Sequence, residues 1–169
     1  MWGGVGGGGK VAIAHAPLRI RLALKPDGSF DLATTFALPA NAVWRIAIAK
    51  TRLSSADPLI RHKTSRRDAY DAARAGFPRE IADEVLLMNE HGELCEGTIT
   101  TLFVPAADGS LLTPQLRCGL LAGVLRAELL EKGVARESVI TPDVLRAAGR
   151  FFVGNSLRGL IAAELVSPV

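Results

Sequence analysis

Four short stretches of this chain place a reactive or anion-binding group where the backbone opens at the end of a strand or the start of a helix. In "RHKTSRRDAYDAARAG", residues 61–76, Lys63 stands in an extended segment just before a helix-like run whose other bases fall on a solvent face. A lysine amine there can attack a carbonyl carbon or carry a proton, although the commoner role is a surface residue with its stem laid along the protein. In "LCEGTITTLFV", Glu96 lies between Leu94-Cys95 and a glycine that admits another group closely. A half-buried carboxylate needs a cationic or protonated partner; the simpler alternative is an ordinary turn glutamate. "TPQLRCGLLAGVLR" sets Gly119 and Gly123 about the first turn of a predicted helix, where unpaired N–H groups can cradle a phosphate. "VGNSLRG" supplies an amide, Asn155, and a hydroxyl, Ser156, at a strand end, which suits a phosphate and is equally common in plain turns.

The elements that must hold these groups follow from periodicity. Leu18, Ile20, Leu22 and Leu24 alternate with polar neighbours, the chain turns at Pro26-Asp27-Gly28, and Phe30, Leu32, Thr34 and Phe36 alternate again, which predicts a β-hairpin. "VWRIAIAKT" predicts a strand with Trp44, Ile46 and Ile48 on one face. From Ser65 to Arg74 the period is helical, with Gly76 as the stop. "EVLLMN", "TITTLFV" and "LLTP", separated by turns at "NEHGE" and "AADGS", predict an antiparallel meander. Gly119 to Lys132 reads as a helix with Leu121, Val124, Leu125 and Leu129 on one face. Thr141-Pro142 is an N-cap followed by proline at the first helical position, so a short helix should run to about Ala148. "RFFVGNS" reads as the last buried strand. The whole is expected to be mixed α/β with mostly antiparallel pairing.

Composition narrows the function classes. In 169 residues, 49% hydrophobic and 22% charged, one domain, or one domain and a fragment, is expected, and the net charge of +3 comes from scattered Lys and Arg with few aromatics among them. That pattern argues against nucleic acid and favours small anionic partners. Two cysteines, Cys95 and Cys118, without CxxC spacing or clustered histidines, argue against a disulfide framework or a structural zinc and fit a reducing cytoplasm. No apolar run reaches the length of a membrane span, and no signal peptide pattern opens the chain. Gly4 to Lys10 satisfies the G-x-x-x-x-G-K half of a phosphate loop, yet Val11 stands where Ser or Thr belongs and no buried strand precedes it, so residues 1–16 read as a flexible, low-complexity start.

Taken together and in order, the four stretches resemble the fold-type IV pyridoxal-phosphate enzymes, the class IV aminotransferases, from about residue 59 to residue 166. The resemblance rests on the lysine of "HKT" with an arginine four positions on, on "NEHGELCEGTITTLFV", on "LLTPQLRCGLLAGVLR" and on "VGNSLRG". Within the family, "RHKTSRRDAYDAARA" and "NSLRGL" are most similar to the aminodeoxychorismate lyase branch, especially the form fused behind an aminodeoxychorismate synthase component.

The resemblance implies a pyridoxal 5′-phosphate cofactor and a small-molecule substrate. It implies that Lys63 is the catalytic residue that joins the cofactor aldehyde and then shuttles protons, and that Glu96 pairs with the pyridine nitrogen. Gly123 and Val124 would grip the phosphate through backbone N–H groups, with Ser156 and Asn155 adding side-chain contacts. Leu125 stands where some members carry a hydroxyl, which shifts the grip toward the backbone and Ser156. The reaction implied is conversion of 4-amino-4-deoxychorismate to 4-aminobenzoate and pyruvate by a cytoplasmic homodimer. The alternatives are an aminotransferase of branched-chain or D-amino acids and a non-catalytic fragment. Family members carry a complete small α/β domain before the lysine, with a phosphate-binding arginine, whereas 62 residues precede Lys63. The expected division is therefore a remnant of the small domain and linker over 17–62 and the cofactor-binding domain, a mainly antiparallel β pseudo-barrel with helices, over 63–169. The chain is expected to be N-terminally truncated.

Overall fold

The structure, a computed structural model, describes residues 18–36 and 43–166. The glycine-rich start lies outside the described residues. The chain divides into two units, Met1–Pro39 and Ala40–Val169. The first contains the expected hairpin, β1 (Leu18–Leu24) and β2 (Phe30–Phe36), paired antiparallel from Leu18 opposite Phe36 to Leu24 opposite Phe30. The odd-even alternation puts Leu18, Ile20, Leu22 and Leu24 on one face with Phe30, Leu32 and Phe36.

The second unit is built on β3 (Trp44–Leu53), α1 (Asp68–Ala75), β4 (Glu84–Asn89), β5 (Leu94–Gly97), β6 (Thr101–Pro105), β7 (Leu111–Pro114), α2 (Val124–Glu131), β8 (Ala135–Ser138), α3 (Pro142–Ala148), β9 (Arg150–Asn155) and β10 (Gly159–Leu165). Its eight strands form one sheet in the order β5-β4-β3-β10-β9-β6-β7-β8. Pairing is antiparallel between β4 and β5, β9 and β10, β6 and β9, and β6 and β7. It is parallel between β3 and β4, β3 and β10, and β7 and β8. The mixed, mainly antiparallel class expected from the sequence is what forms.

Both faces of the central strands are covered, which is why "EVLLMN" is a continuous buried run. Leu86 and Met88 join Ile46, Leu102, Ile140, Leu145, Phe151 and Val153 on one side. Val85 and Leu87 join Ala47, Ala49, Cys95, Cys118 and Leu120 on the other. Each fully buried leucine contributes about 2 kcal/mol of apolar burial. Helix α1 lies against the second cluster through Ala69, Tyr70 and Ala73, and Asp68 and Asp71 in its first turn complement the helix dipole. Thr141 caps α3 as expected, accepting from the Val144 N–H at 3.4 Å with Pro142 in the first turn.

Several local expectations are corrected. Residues 119–123 are not helical: a 3₁₀ turn over Leu116–Cys118 ends at Gly119, and α2 begins only at Val124. Gly119 sits at φ 89°, where a Cβ would stand 2.9 Å from the Ser55 Cα, so the chain there is held by a close backbone approach that the helical pattern does not anticipate. "TITTLFV" is likewise not one strand. Residues 98–100 form a loop between β5 and β6, and β6 pairs with β9 instead of β5, so the meander is interrupted. β9 is followed by a further strand, β10.

Candidate functional site

Lys63 lies between a 3₁₀ turn, Pro58–Arg61, and α1. Asp57 caps that turn by accepting from the Leu59 N–H at 2.9 Å, and its other oxygen meets Arg66 at 3.2 Å, so one carboxylate brackets the segment on both sides of Lys63. Lys63 itself is exposed. Arg67, at the N-cap of α1, turns inward: its Nη2 donates to the Thr98 carbonyl at 2.6 Å and its guanidinium lies 5.1 Å over the Tyr70 ring.

Glu96, in β5, is only 6% exposed. Its Oε1 accepts from the Tyr70 hydroxyl at 2.6 Å and from the Leu121 N–H at 3.2 Å. Among the described residues no hydrogen bond falls on Oε2. Burial pushes this carboxyl up to about 7, against the lowering effect of the Tyr70 and Leu121 donors and of the Lys63 and Arg67 charges. Lys63 is thus one of two cations whose charge acts on Glu96. The Tyr70 phenol is pushed upward by burial and by the neighbouring Glu96, so it stays a donor.

The second half of the site assembles where α2, β6 and β9 meet. Gly123 is the N-cap of α2, with no side chain capping the helix, and the first turn closes through the Ala127 N–H to the Gly123 carbonyl at 3.0 Å. Among the described hydrogen bonds, the N–H groups of Val124, Leu125 and Arg126 have no acceptor. Leu125 is half-buried against Phe103 and Leu111, and its Cδ2 would stand 2.9 Å from a Cβ on Gly154. The helix is anchored by Arg126, buried, whose Nη2 donates to the Pro114 carbonyl at 2.8 Å and to Glu137.

At the end of β9, Asn155 is committed to the turn. Its Oδ1 accepts from the Leu157 and Arg158 N–H groups at 3.1 Å each, and its Nδ2 donates to the Ile99 carbonyl at 3.0 Å. Ser156 is exposed, with no hydrogen bond to its hydroxyl among the described residues. Asn155 thus shapes the turn that presents Ser156.

The Lys63 charge reaches Glu96, and Leu125 at the start of α2 packs beside Gly154, next to Asn155 in β9. Two participants escaped the sequence reading. Tyr70 carried a signal, being the sole tyrosine of the chain and lying seven residues from Lys63. The loop 98–100, which receives both Arg67 and Asn155, was masked by its strand-like composition.

The arrangement offers a buried carboxylate with one free oxygen, an amine within its field, and uncapped N–H groups beside a free hydroxyl. The sequence pattern of the amino-transferase class IV family matches residues 9–166. The aminodeoxychorismate lyase of Saccharomyces cerevisiae is 26% identical over 90% of this chain and 48% of its own length. A Mesorhizobium loti crystal structure, provisionally assigned by its name as an amino-acid aminotransferase, superposes with a TM-score of 0.84 at 53% identity, covering 88% of this chain and 73% of that one. The 4-amino-4-deoxychorismate lyase of Pseudomonas aeruginosa superposes with a TM-score of 0.65 at 26% identity, over 86% of this chain and 59% of its own. The chain spans about half the length of the curated lyases it matches.

Proposed function

This chain belongs to the amino-transferase class IV family, and from that premise we propose that it is the cofactor-binding part of a pyridoxal 5′-phosphate lyase converting 4-amino-4-deoxychorismate to 4-aminobenzoate and pyruvate. The observation that carries the cofactor is Glu96. A carboxylate buried to 6% exposure, with both of its donors on Oε1, is completed by a cationic ring nitrogen at Oε2. The N–H groups of Val124 and Leu125 and the hydroxyl of Ser156, unclaimed among the described residues, suit the phosphate arm. Asn155 supports that end through the turn it closes.

When bound, the cofactor supplies an electron sink for the carbon that bears the substrate amine. Lys63 Nζ is the group that would anchor the cofactor aldehyde, and as a free amine it would take the proton from that carbon. The C–O bond to the enolpyruvyl group then breaks, the electron pair leaves with oxygen, and the six-membered ring becomes aromatic. The departing enol gives pyruvate, so atoms balance without added water or oxidant. Glu96, held in place by Tyr70 and Leu121, would keep the ring nitrogen protonated. A homodimer in the cytoplasm belongs to the same reading.

Likeness to the yeast and Pseudomonas lyases supports elimination. The Mesorhizobium relative supports a second reading, amino transfer with the same Lys63 and Glu96. Borohydride reduction of the protein incubated with pyridoxal 5′-phosphate, followed by peptide mass analysis, should place the label on Lys63, and a Lys63→Ala chain should take none. Label elsewhere, or none in the parent chain, defeats the cofactor reading. Incubating the loaded protein with aminodeoxychorismate and separately with an amino acid plus 2-oxoglutarate separates the two activities: 4-aminobenzoate in the first supports the lyase, and product only in the second overturns it.

A further inference from the structure

Glu84 opens β4 with no exposed surface and accepts five hydrogen bonds. Its Oε1 receives the Val85 N–H at 2.8 Å, the Thr98 N–H at 3.0 Å and the Thr98 hydroxyl at 2.5 Å. Its Oε2 receives the Ile99 N–H at 3.0 Å and the Thr100 hydroxyl at 3.0 Å. The main-chain donors, Val85 and Thr98 on one oxygen and Ile99 on the other, cannot reverse to become acceptors. A glutamine would set its NH2 against one of them, so the cage demands a carboxylate.

The loop that Glu84 gathers faces outward with two carbonyls, and each is used. That of Thr98 receives Arg67, the cation beside Glu96, and that of Ile99 receives Asn155, whose turn presents Ser156. The Gly97 N–H joins the Thr100 carbonyl at 2.7 Å, which ties the loop to the end of the strand carrying Glu96.

We propose that Glu84 is a positioning residue that sets, through the 98–100 loop, the spacing between the two ends of the cofactor site: Arg67 and Glu96 at one, Asn155 and Ser156 at the other. The inference rests on the cofactor reading given above, and the test separates the two. Affinity for pyridoxal 5′-phosphate is measured in the full chain by absorbance and fluorescence titration for the parent, Glu84→Gln, Asn155→Ala and the double variant. Folding is checked by circular dichroism and urea denaturation. If the parent does not bind, the cofactor reading has failed and not the positioning role.

With a binding parent, Glu84→Gln should weaken affinity roughly tenfold, and the Asn155→Ala penalty should largely vanish in its presence, because both act through the Ile99 carbonyl. Pyridoxal, which lacks the phosphate, should show a smaller non-additivity between the same two changes. Where Glu84→Gln does not fold, Thr100→Val, which removes one donor from the same cage, takes its place in the cycle. Unchanged affinity in a folded variant, or penalties that simply multiply, overturns the proposal and leaves Glu84 a structural residue.

Discussion

The hydroxyl of Tyr70, the one tyrosine of the chain, donates a 2.6 Å hydrogen bond to Glu96 Oε1, the same oxygen that receives the Leu121 N–H. Helix α1 and the segment ahead of α2 thus converge on a single oxygen of a carboxylate in β5, and among the described residues its other oxygen receives no hydrogen bond.

Tyr70→Phe removes that donor and nothing else in volume. A hydrogen bond to an ionised group contributes about 1.5–3 kcal/mol, so cofactor affinity should fall by about tenfold or more and ionisation of Glu96 should move to higher pH. Titration with pyridoxal 5′-phosphate at several pH values measures both, and wild-type affinity at every pH would show that the phenol is idle.

Glu96 also writes a pH dependence into the cofactor-free protein. Its folded-state value of about 7 lies above the ordinary 4.5, so the folded state holds its proton more tightly than the unfolded state. The contribution to stability is complete below about pH 4.5 and is lost as pH rises through 7, a decline of about 3 kcal/mol. Urea denaturation from pH 4 to pH 8 should show this slope in the parent relative to Glu96→Gln, and saturating pyridoxal 5′-phosphate should remove most of it. Parallel curves for parent and variant would refute the assignment.

The pair Arg126–Glu137 gives the opposite slope. The buried guanidinium holds Glu137 below the usual carboxylate range, so its contribution is present above about pH 4.5 and fades as pH falls. Glu137→Gln should cost about 2 kcal/mol at pH 7, less than for a wholly buried pair because Glu137 is partly exposed. It should also flatten the acid limb of the stability curve, which denaturation below pH 5 reads directly.

Gly154→Ala tests the junction of α2 with β9. The added Cβ would stand 2.4 Å from the Gly159 carbonyl oxygen and 2.9 Å from Leu125 Cδ2. Forced overpacking costs about 1–3 kcal/mol, so Tm should drop by several degrees. Cofactor affinity should fall as well, because the shift pushes Leu125 and the uncapped N–H groups beside it. A lowered Tm with unaltered affinity would place the phosphate elsewhere.

What could be read from the sequence was what local pattern dictates. The β1–β2 hairpin follows from strict alternation about Pro26-Asp27-Gly28, β3 from Trp44, Ile46 and Ile48, and α3 from Thr141-Pro142. Two of the expectations that failed were decided by distant contacts. The apolar spacing of Leu121, Val124 and Leu125 suits a helix, but Gly119 is fixed at positive φ against Ser55, and α2 starts five residues late. Thr98-Ile99-Thr100 has the β-branched character of a strand, but Glu84, fourteen to sixteen positions upstream, claims its donors. For the candidate site, Lys63 and Glu96 stand out in the sequence as residue types at element junctions and through the family resemblance, whereas Tyr70 and Glu84 enter only because the fold carries one to the Glu96 carboxylate and the other to the 98–100 loop.

Cys95 immediately precedes Glu96, and its thiol points its hydrogen at the Cys118 carbonyl, 3.1 Å away. Burial pushes Cys95 upward and lifts Cys118 to about 11, so at neutral pH neither sulfur exists as the thiolate that alkylating reagents consume. Iodoacetamide capture at Cys95 in the untouched wild-type chain, told apart from capture at Cys118 by peptide mass, is therefore a clock for breathing of β5: every molecule modified there has opened beside the carboxylate, with no reporter group introduced.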